Sequence, residues 1–137
     1  MIEYQFNVSN FQLDRENISE WLENVILKEK STLGEIGYIF CDDKFLLGIN
    51  QRFLQHDTYT DIITFPSSQE EGIVSGEIYI SVDRVKENVT FSNNNFEREM
   101  DRVIVHGVLH LLGYKDKTPE EAQLMRQKED YYLSMLS

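Results

Sequence analysis

Three side chains near the C-terminal end of the chain can hold a cation: His106, His110 and Asp116, in the stretch HGVLHLLGYKD (106–116). Two histidines four residues apart lie one turn apart on the same helix face, the spacing at which two imidazoles can grip one metal ion. Gly113 follows them and tolerates positive φ, so the backbone can turn back after the helix. Asp116, six residues past His110, can then swing in as a third ligand. Two imidazoles and a carboxylate suit Zn²⁺, and three protein ligands leave a fourth position for water. An ion held in this way can lower the pKa of that water to about 7. The chain has three histidines and two of them lie here; the third, His56, sits in the polar stretch QHDTY (55–59) and reads as a surface residue.

Other polar side chains share the face. At about 100° per residue, Glu99, Arg102 and Val103 fall on the stripe that carries His106 and His110. Arg102 is placed to meet a phosphate and stabilise developing charge. Glu99 is placed to orient an imidazole or to take a proton from water. Phe96, Met100, Ile104, Val108, Leu111 and Leu112 read as core. Zinc proteases of the HExxH type carry a glutamate beside the first histidine as general base. Here that position is Gly107, although the spacing H-x3-H-x2-G-x2-D otherwise matches a metzincin with Asp for the third His. A protease would need its base from elsewhere, and Gly107 instead suggests close packing of the helix against another backbone.

The helix bearing these residues needs a start and a stop. SNNN (92–95) is a cluster of capping residues; with Asn94 as the cap, Glu97 takes the reciprocal position three residues on. The helix is expected to run to about Leu112. A second helix opens at Thr118-Pro119-Glu120-Glu121, with a cap, Pro in the first turn and acids near the positive end of the dipole. Leu124, Met125, Tyr131, Tyr132, Met135 and Leu136 supply its apolar side. Upstream, residues 2–8, 35–41, 61–65 and 75–82 alternate or run apolar and read as strands. Asp14 caps a helix over 15–29 with Ile18, Trp21, Leu22, Val25 and Ile26 inward. Asp42 or Asp43 caps another through Leu54, with Phe45, Leu46, Ile49 and Phe53 as its inner stripe. Residues 83–88 open a short helix, and SSQEEG (67–72) reads as a flexible loop. This order predicts an α+β fold, a small mixed four-stranded sheet packed with helices, occupying residues 1–137 as one domain.

Composition narrows the function classes. Of 137 residues, 41% are apolar and 27% charged, an ordinary soluble balance. One cysteine, Cys41, rules out an internal disulfide framework and a Cys-cluster zinc finger, and its place at a strand end reads as buried. No apolar run reaches the roughly 18 residues of a membrane span, and the opening segment lacks the features of a signal peptide, so a cytoplasmic protein is expected. The net charge of −11 argues against a general nucleic-acid binder. The charge is uneven, however. Residues 1–82 hold five basic and fourteen acidic side chains, and residues 83–137 hold eight and ten, so an anionic ligand should meet the C-terminal part.

The motifs resemble a known family. HGVLHLLGYKD resembles the HGxLHLxGYDH signature of the YbeY family of bacterial metal-dependent endoribonucleases linked to ribosomal RNA maturation. TDIITFP (60–66) resembles that family's TDVLSFP, and SGEIYIS (75–81) its GDIxIS strand. The resemblance implies a mixed sheet with helices on it and a metal held at His106, His110 and the position of Asp116. There the family has a third histidine, and Lys115 fills the family's Asp position. The arginine the family uses in catalysis falls on Leu54, leaving Arg52, Arg102 or no arginine to replace it. The resemblance further implies cleavage of single-stranded RNA, with 16S rRNA of the small ribosomal subunit as substrate, Zn²⁺ as the cofactor and no membrane partner. Arg52, Lys115 and Lys117 are candidates for holding the RNA backbone, while Thr60, Asp61 and Gly76 would shape the cleft wall. Two other readings stay open: a non-catalytic ribosome-assembly factor with a structural metal, and a metalloprotease.

Overall fold

The computed structural model describes residues 1–56, 58–67, 70–90 and 95–136. The chain runs β1 (Ile2–Phe6), α1 (Arg15–Lys28), β2 (Thr32–Cys41), α2 (Asp43–Phe53), β3 (Ile62–Pro66), β4 (Ile73–Ser81), α3 (Val82–Val89), α4 (Phe96–Leu111) and α5 (Pro119–Leu133). The four strands form one mixed sheet in the order β1-β2-β4-β3, with β1, β2 and β4 parallel and β3 antiparallel to β4. This is the small mixed sheet with packed helices that the sequence pattern predicts. β2 begins earlier than expected, at Thr32, where its amide donates to Gly72 O at 2.7 Å, and a register shift follows between Leu33 and Ile36. Among the described residues no helix is long and apolar enough to cross a membrane.

The sheet's principal core face takes α1 and α4. All five predicted inward residues of α1, Ile18, Trp21, Leu22, Val25 and Ile26, are buried, and the Asp14 side chain accepts from Asn17 N as its cap. α4 is the structural axis: Met100, Val103, Ile104, Val105, Val108 and Leu109 are buried on several sides of it. Tyr38 of β2 donates its hydroxyl to Ile104 O at 2.7 Å, tying sheet to helix. The α4 cap is Asn95, whose side chain accepts from Arg98 N; Asn94 lies outside the described residues.

α2 covers the other face of the sheet with a smaller cluster of Leu46, Cys41 and Ile63. Of the predicted inner stripe of α2, Leu46 is buried and Ile49 packs against the same cluster, whereas Phe45 and Phe53 are exposed; Asn50, not in that stripe, is buried. Asn50 organises the turn in which α2 ends. Its side-chain amide donates to Thr58 O at 2.8 Å, and its carbonyl accepts from Leu54 N and His56 N. Phe45 and Phe53 lie at the sheet margin, near the rings of Tyr79 and Phe65. The inward side of α5 differs similarly: Met125, Glu129, Tyr132 and Leu133 are buried, while Leu124, Tyr131 and Met135 are exposed. Cys41 is buried as expected, and burial pushes its thiol pKa up to about 12.

Gly107 sets how closely α4 lies on the sheet. A Cβ there would stand 2.9 Å from Ile78 Cγ2 and 3.1 Å from Ile62 Cδ1, so the close contact is with β-branched side chains rather than another backbone. Ile78 is fully buried and stiff at χ1, so it cannot swing away. Gly107→Ala is therefore expected to cost about 1–3 kcal/mol from overpacking despite alanine's better helix propensity. Gly48→Ala in α2, where nothing lies within 4 Å of the added carbon, should gain up to about 1 kcal/mol. Urea unfolding of the two variants checks the opposite signs.

Candidate metal centre

α4 delivers His106 and His110 one turn apart at its C-terminal end, with ring centroids 4.5 Å apart and nearly perpendicular. The helix stops at Gly113, whose φ of 107° lies in the region glycine favours, and Tyr114 N returns to Leu109 O at 3.0 Å. This reversal brings Asp116 back over the helix end. Its Oδ2 lies 3.3 Å from His106 Nε2 and 3.3 Å from His110 Nε2, and the three donor atoms lie within 4.8 Å of one another. The next helix starts at once, with Thr118 and Glu121 forming a reciprocal capping box.

The outer nitrogens are both taken. His106 Nδ1 is 2.6 Å from Glu129 Oε2, and His110 Nδ1 is 2.9 Å from the backbone carbonyl of Tyr114. A carbonyl only accepts, so the His110 proton sits on Nδ1 and leaves the Nε2 lone pair facing Asp116. A carboxylate does the same for His106. Two imidazole lone pairs and a carboxylate oxygen converge with their outer partners already in place, which is the pattern of a prepared cation site. The donor chemistry fits Zn²⁺.

Glu129 is the functional residue that the sequence reading missed. It sits on α5 in the stripe Met125, Glu129, Tyr132, Leu133, an acid inside an apolar face, and is 5% exposed. That misplaced acid is the signal that could have revealed it, because a buried carboxylate requires a partner. It has two partners: His106 and Arg102, whose Nη1 donates to Glu129 Oε1 at 2.8 Å.

Arg102 is thus corrected from its expected role. It does lie near His106, but its guanidinium points into the protein, with Nη2 on Asp130 Oδ1 at 2.6 Å and only 10% of the side chain exposed. It holds Glu129 rather than reaching outward to a phosphate. Glu99 is half buried on α4 and is not one of the three donors; its negative charge is felt by Asp61. Asp61 stands at the start of β3, where its carbonyl accepts from Ser81 N at 2.9 Å and its carboxylate from Asn88 Nδ2 at 3.4 Å. Burial pushes its pKa up, the charge on His106 pulls it down, and Glu99 and Glu129 push it up again. Asp61 therefore lies near enough to His106 to feel its charge. Lys115 and Lys117 are exposed on either side of Asp116. Arg52 is exposed in the last turn of α2, and Leu54, at the position matching the family arginine, caps that helix and is exposed. His56 is exposed, as expected.

A His–His–carboxylate set on the last turns of a central helix, beside a mixed sheet, defines a candidate metallohydrolase. The family model described as Endoribonuclease YbeY matches residues 3–137. The chain is 48% identical over 128 residues to a protein named Endoribonuclease YbeY from Cytophaga hutchinsonii, covering 93% of this chain and 90% of that one. It is 47% identical over 136 residues to the protein of the same name from Flavobacterium johnsoniae, covering 98% and 96%. The solution structure of TM1509 from Thermotoga maritima superposes with a TM-score of 0.72 at 32% identity, covering 99% of this chain and 89% of that one. The chain belongs to the Endoribonuclease YbeY family.

Protons compete with a cation for His106. Burial disfavours its charged form, but the hydrogen bond to Glu129 and its charge outweigh this, helped by Asp116 and Asp61, and hold the pKa above the usual 6.5. A protonated ring has no lone pair to give. Zinc affinity is expected to rise as pH climbs through that raised value and to level off above it. Glu129→Gln should move the midpoint down toward the ordinary imidazole value and weaken zinc binding about 10–100-fold on the plateau. Competition titrations with a chelator across pH check both.

Proposed function

We propose that this chain is a metal-dependent endoribonuclease of rRNA processing that cleaves single-stranded RNA, with one Zn²⁺ held by His106, His110 and Asp116. The observation that carries this reading is the convergence of two Nε2 atoms on Asp116 Oδ2 while both Nδ1 atoms are engaged elsewhere. When bound, Zn²⁺ supplies Lewis acidity toward a phosphoryl oxygen and acidifies water. Glu129 keeps the His106 ring in place, and Arg102 supplies the counter-charge that lets Glu129 remain buried. Lys115 and Lys117 border the site from the solvent side, and their ammonium groups suit the phosphates of a strand lying across it. Arg52 serves the same backbone from α2. Burial raises the pKa of Asp61, whose carboxylate accepts from Asn88 and feels the charge on His106.

The open placement of the imidazoles, 18% and 25% exposed, suits a polymer substrate that must be draped over the site. We assign 16S rRNA of the small ribosomal subunit as the substrate, and with it processing at its 3′ end, ribosome quality control, a cytoplasmic location and a single domain over residues 1–137. A second reading, a ribosome-assembly factor with a structural metal, draws support from two features: Leu54 exposes an apolar side chain where the family carries its arginine, and Arg102 is committed to α5. The protease reading loses ground, because Gly107 packs on Ile78 and Ile62 and leaves no space for an acid beside His106.

His110→Ala is expected to lose bound zinc and to reduce cleavage of a single-stranded RNA to background. Full cleavage by the zinc-free variant would overturn the catalytic assignment. Loss of cleavage in wild type and variant alike, with tight binding to a pre-ribosomal particle, would favour the assembly-factor reading.

A further inference from the structure

His106 is oriented directly by a buried carboxylate, whereas His110 is oriented by a backbone carbonyl in a surface turn. A turn carbonyl can hold an imidazole only as firmly as the turn itself is held. The residue supplying it, Tyr114, extends its side chain away from the site to the far end of α1. There its hydroxyl donates to Glu29 Oε1 at 2.6 Å. Glu29 is the residue that ends α1, and its side chain is 11% exposed. The same carboxylate accepts from the Tyr132 hydroxyl and from Lys128 Nζ at 3.1 Å, and that ammonium lies 5.5 Å over the Tyr114 ring. Tyr132 and Lys128 belong to α5, and Lys128 immediately precedes Glu129. One carboxylate, 85 residues away from the turn in sequence, therefore clamps the ligand turn and the helix bearing the His106 partner.

We propose that Glu29 is a positioning residue for the metal centre, acting through Tyr114 on His110 and on the turn that carries Asp116. This rests on the metal reading above. The backbone of Tyr114 is held at both polar groups, its N–H by Leu109 O and its carbonyl by His110 Nδ1, so its ring is the remaining handle on its orientation. Glu29 fixes that handle. The consequence is that the end of α1, which supplies none of the three donors, tunes how tightly the cation is held.

The test compares zinc dissociation constants and the urea stability of the metal-free protein for wild type, Glu29→Gln, Tyr114→Phe and the double variant. Tyr4→Phe serves as a control, since it loses a comparable tyrosine bond, to Ser19 at 2.9 Å, elsewhere in the fold. Tyr114→Phe is expected to weaken zinc binding about 10-fold. Glu29→Gln should act in the same direction, and the double variant should be no weaker than the worse single, because both break one chain of contacts. Tyr4→Phe should lower stability and leave zinc affinity within about two-fold of wild type. In the cobalt-substituted protein, the visible bands should shift for the Glu29 and Tyr114 variants alone. Wild-type zinc affinity in Glu29→Gln and Tyr114→Phe, even with reduced stability, would overturn the proposal and leave the cluster a fold staple. Failure of the wild-type protein to bind zinc would instead overturn the metal reading, and this inference with it.

Discussion

Each imidazole of α4 has two nitrogens, and the site depends on where the outer one goes. Glu129 takes that of His106 and the Tyr114 carbonyl takes that of His110. Were either nitrogen free, the ring could rotate or change tautomer and present a proton where a lone pair is needed. Much of the C-terminal third follows from this requirement. α5 must return along α4 so that Glu129 faces His106, and the turn between the two helices must be short enough for Tyr114 and Asp116 to serve the same pair of rings. Arg102 belongs to the same requirement. A buried carboxylate needs a counter-charge, and removing one member of such a pair typically costs about 3–5 kcal/mol. The Arg102–Glu129 pair is weak as a source of stability and strong as a means of setting one geometry.

The rest of the fold supplies a rigid platform. A helix buried on several sides cannot roll, so the direction of its histidines is set by packing of Met100, Ile104, Val108 and Leu109 well before any ligand arrives. Gly107 lets α4 sit close on Ile78 and Ile62, which brings Asp61 at the start of β3 up to the rim of the site. The antiparallel placement of β3 at the sheet edge has the same effect, since Asp61, the residue just before it, accepts from the amide of Ser81 at the end of β4. The site thus lies where a central helix ends over a sheet edge, open to a long substrate.

Local signals made much of this legible. The spacing of His106, His110, Gly113 and Asp116 announced the donor set because a helix and a glycine turn are local objects. The stripe of α1 was legible for the same reason, and so was the Thr118-Pro119 start of α5. What could not be read locally was which element covers which. Phe45 and Phe53 look like core by periodicity, yet they lie exposed beside the rings of Tyr79 and Phe65, while Leu46 of the same stripe is buried. Arg102 lies on the histidine face by angle, yet α5 covers that part of the face and claims the guanidinium. Glu129 and Glu29 act over 23 and 85 residues of separation, and no helical or strand period links such positions. The resemblance of three motifs to the YbeY family reached the fold class and the three side chains that the fold brings together, while the holding groups came only from three-dimensional contacts.

The claim at the centre of this account is that one cation sits between the end of α4 and the turn beyond it. Anomalous diffraction at the zinc edge from crystals grown with zinc tests it most directly. The account predicts a single strong peak bonded to His106 Nε2, His110 Nε2 and Asp116, with nitrogen distances of about 2.0–2.1 Å. A zinc-replete crystal with no peak there, and with the Asp116 carboxylate turned away from both rings, would contradict it.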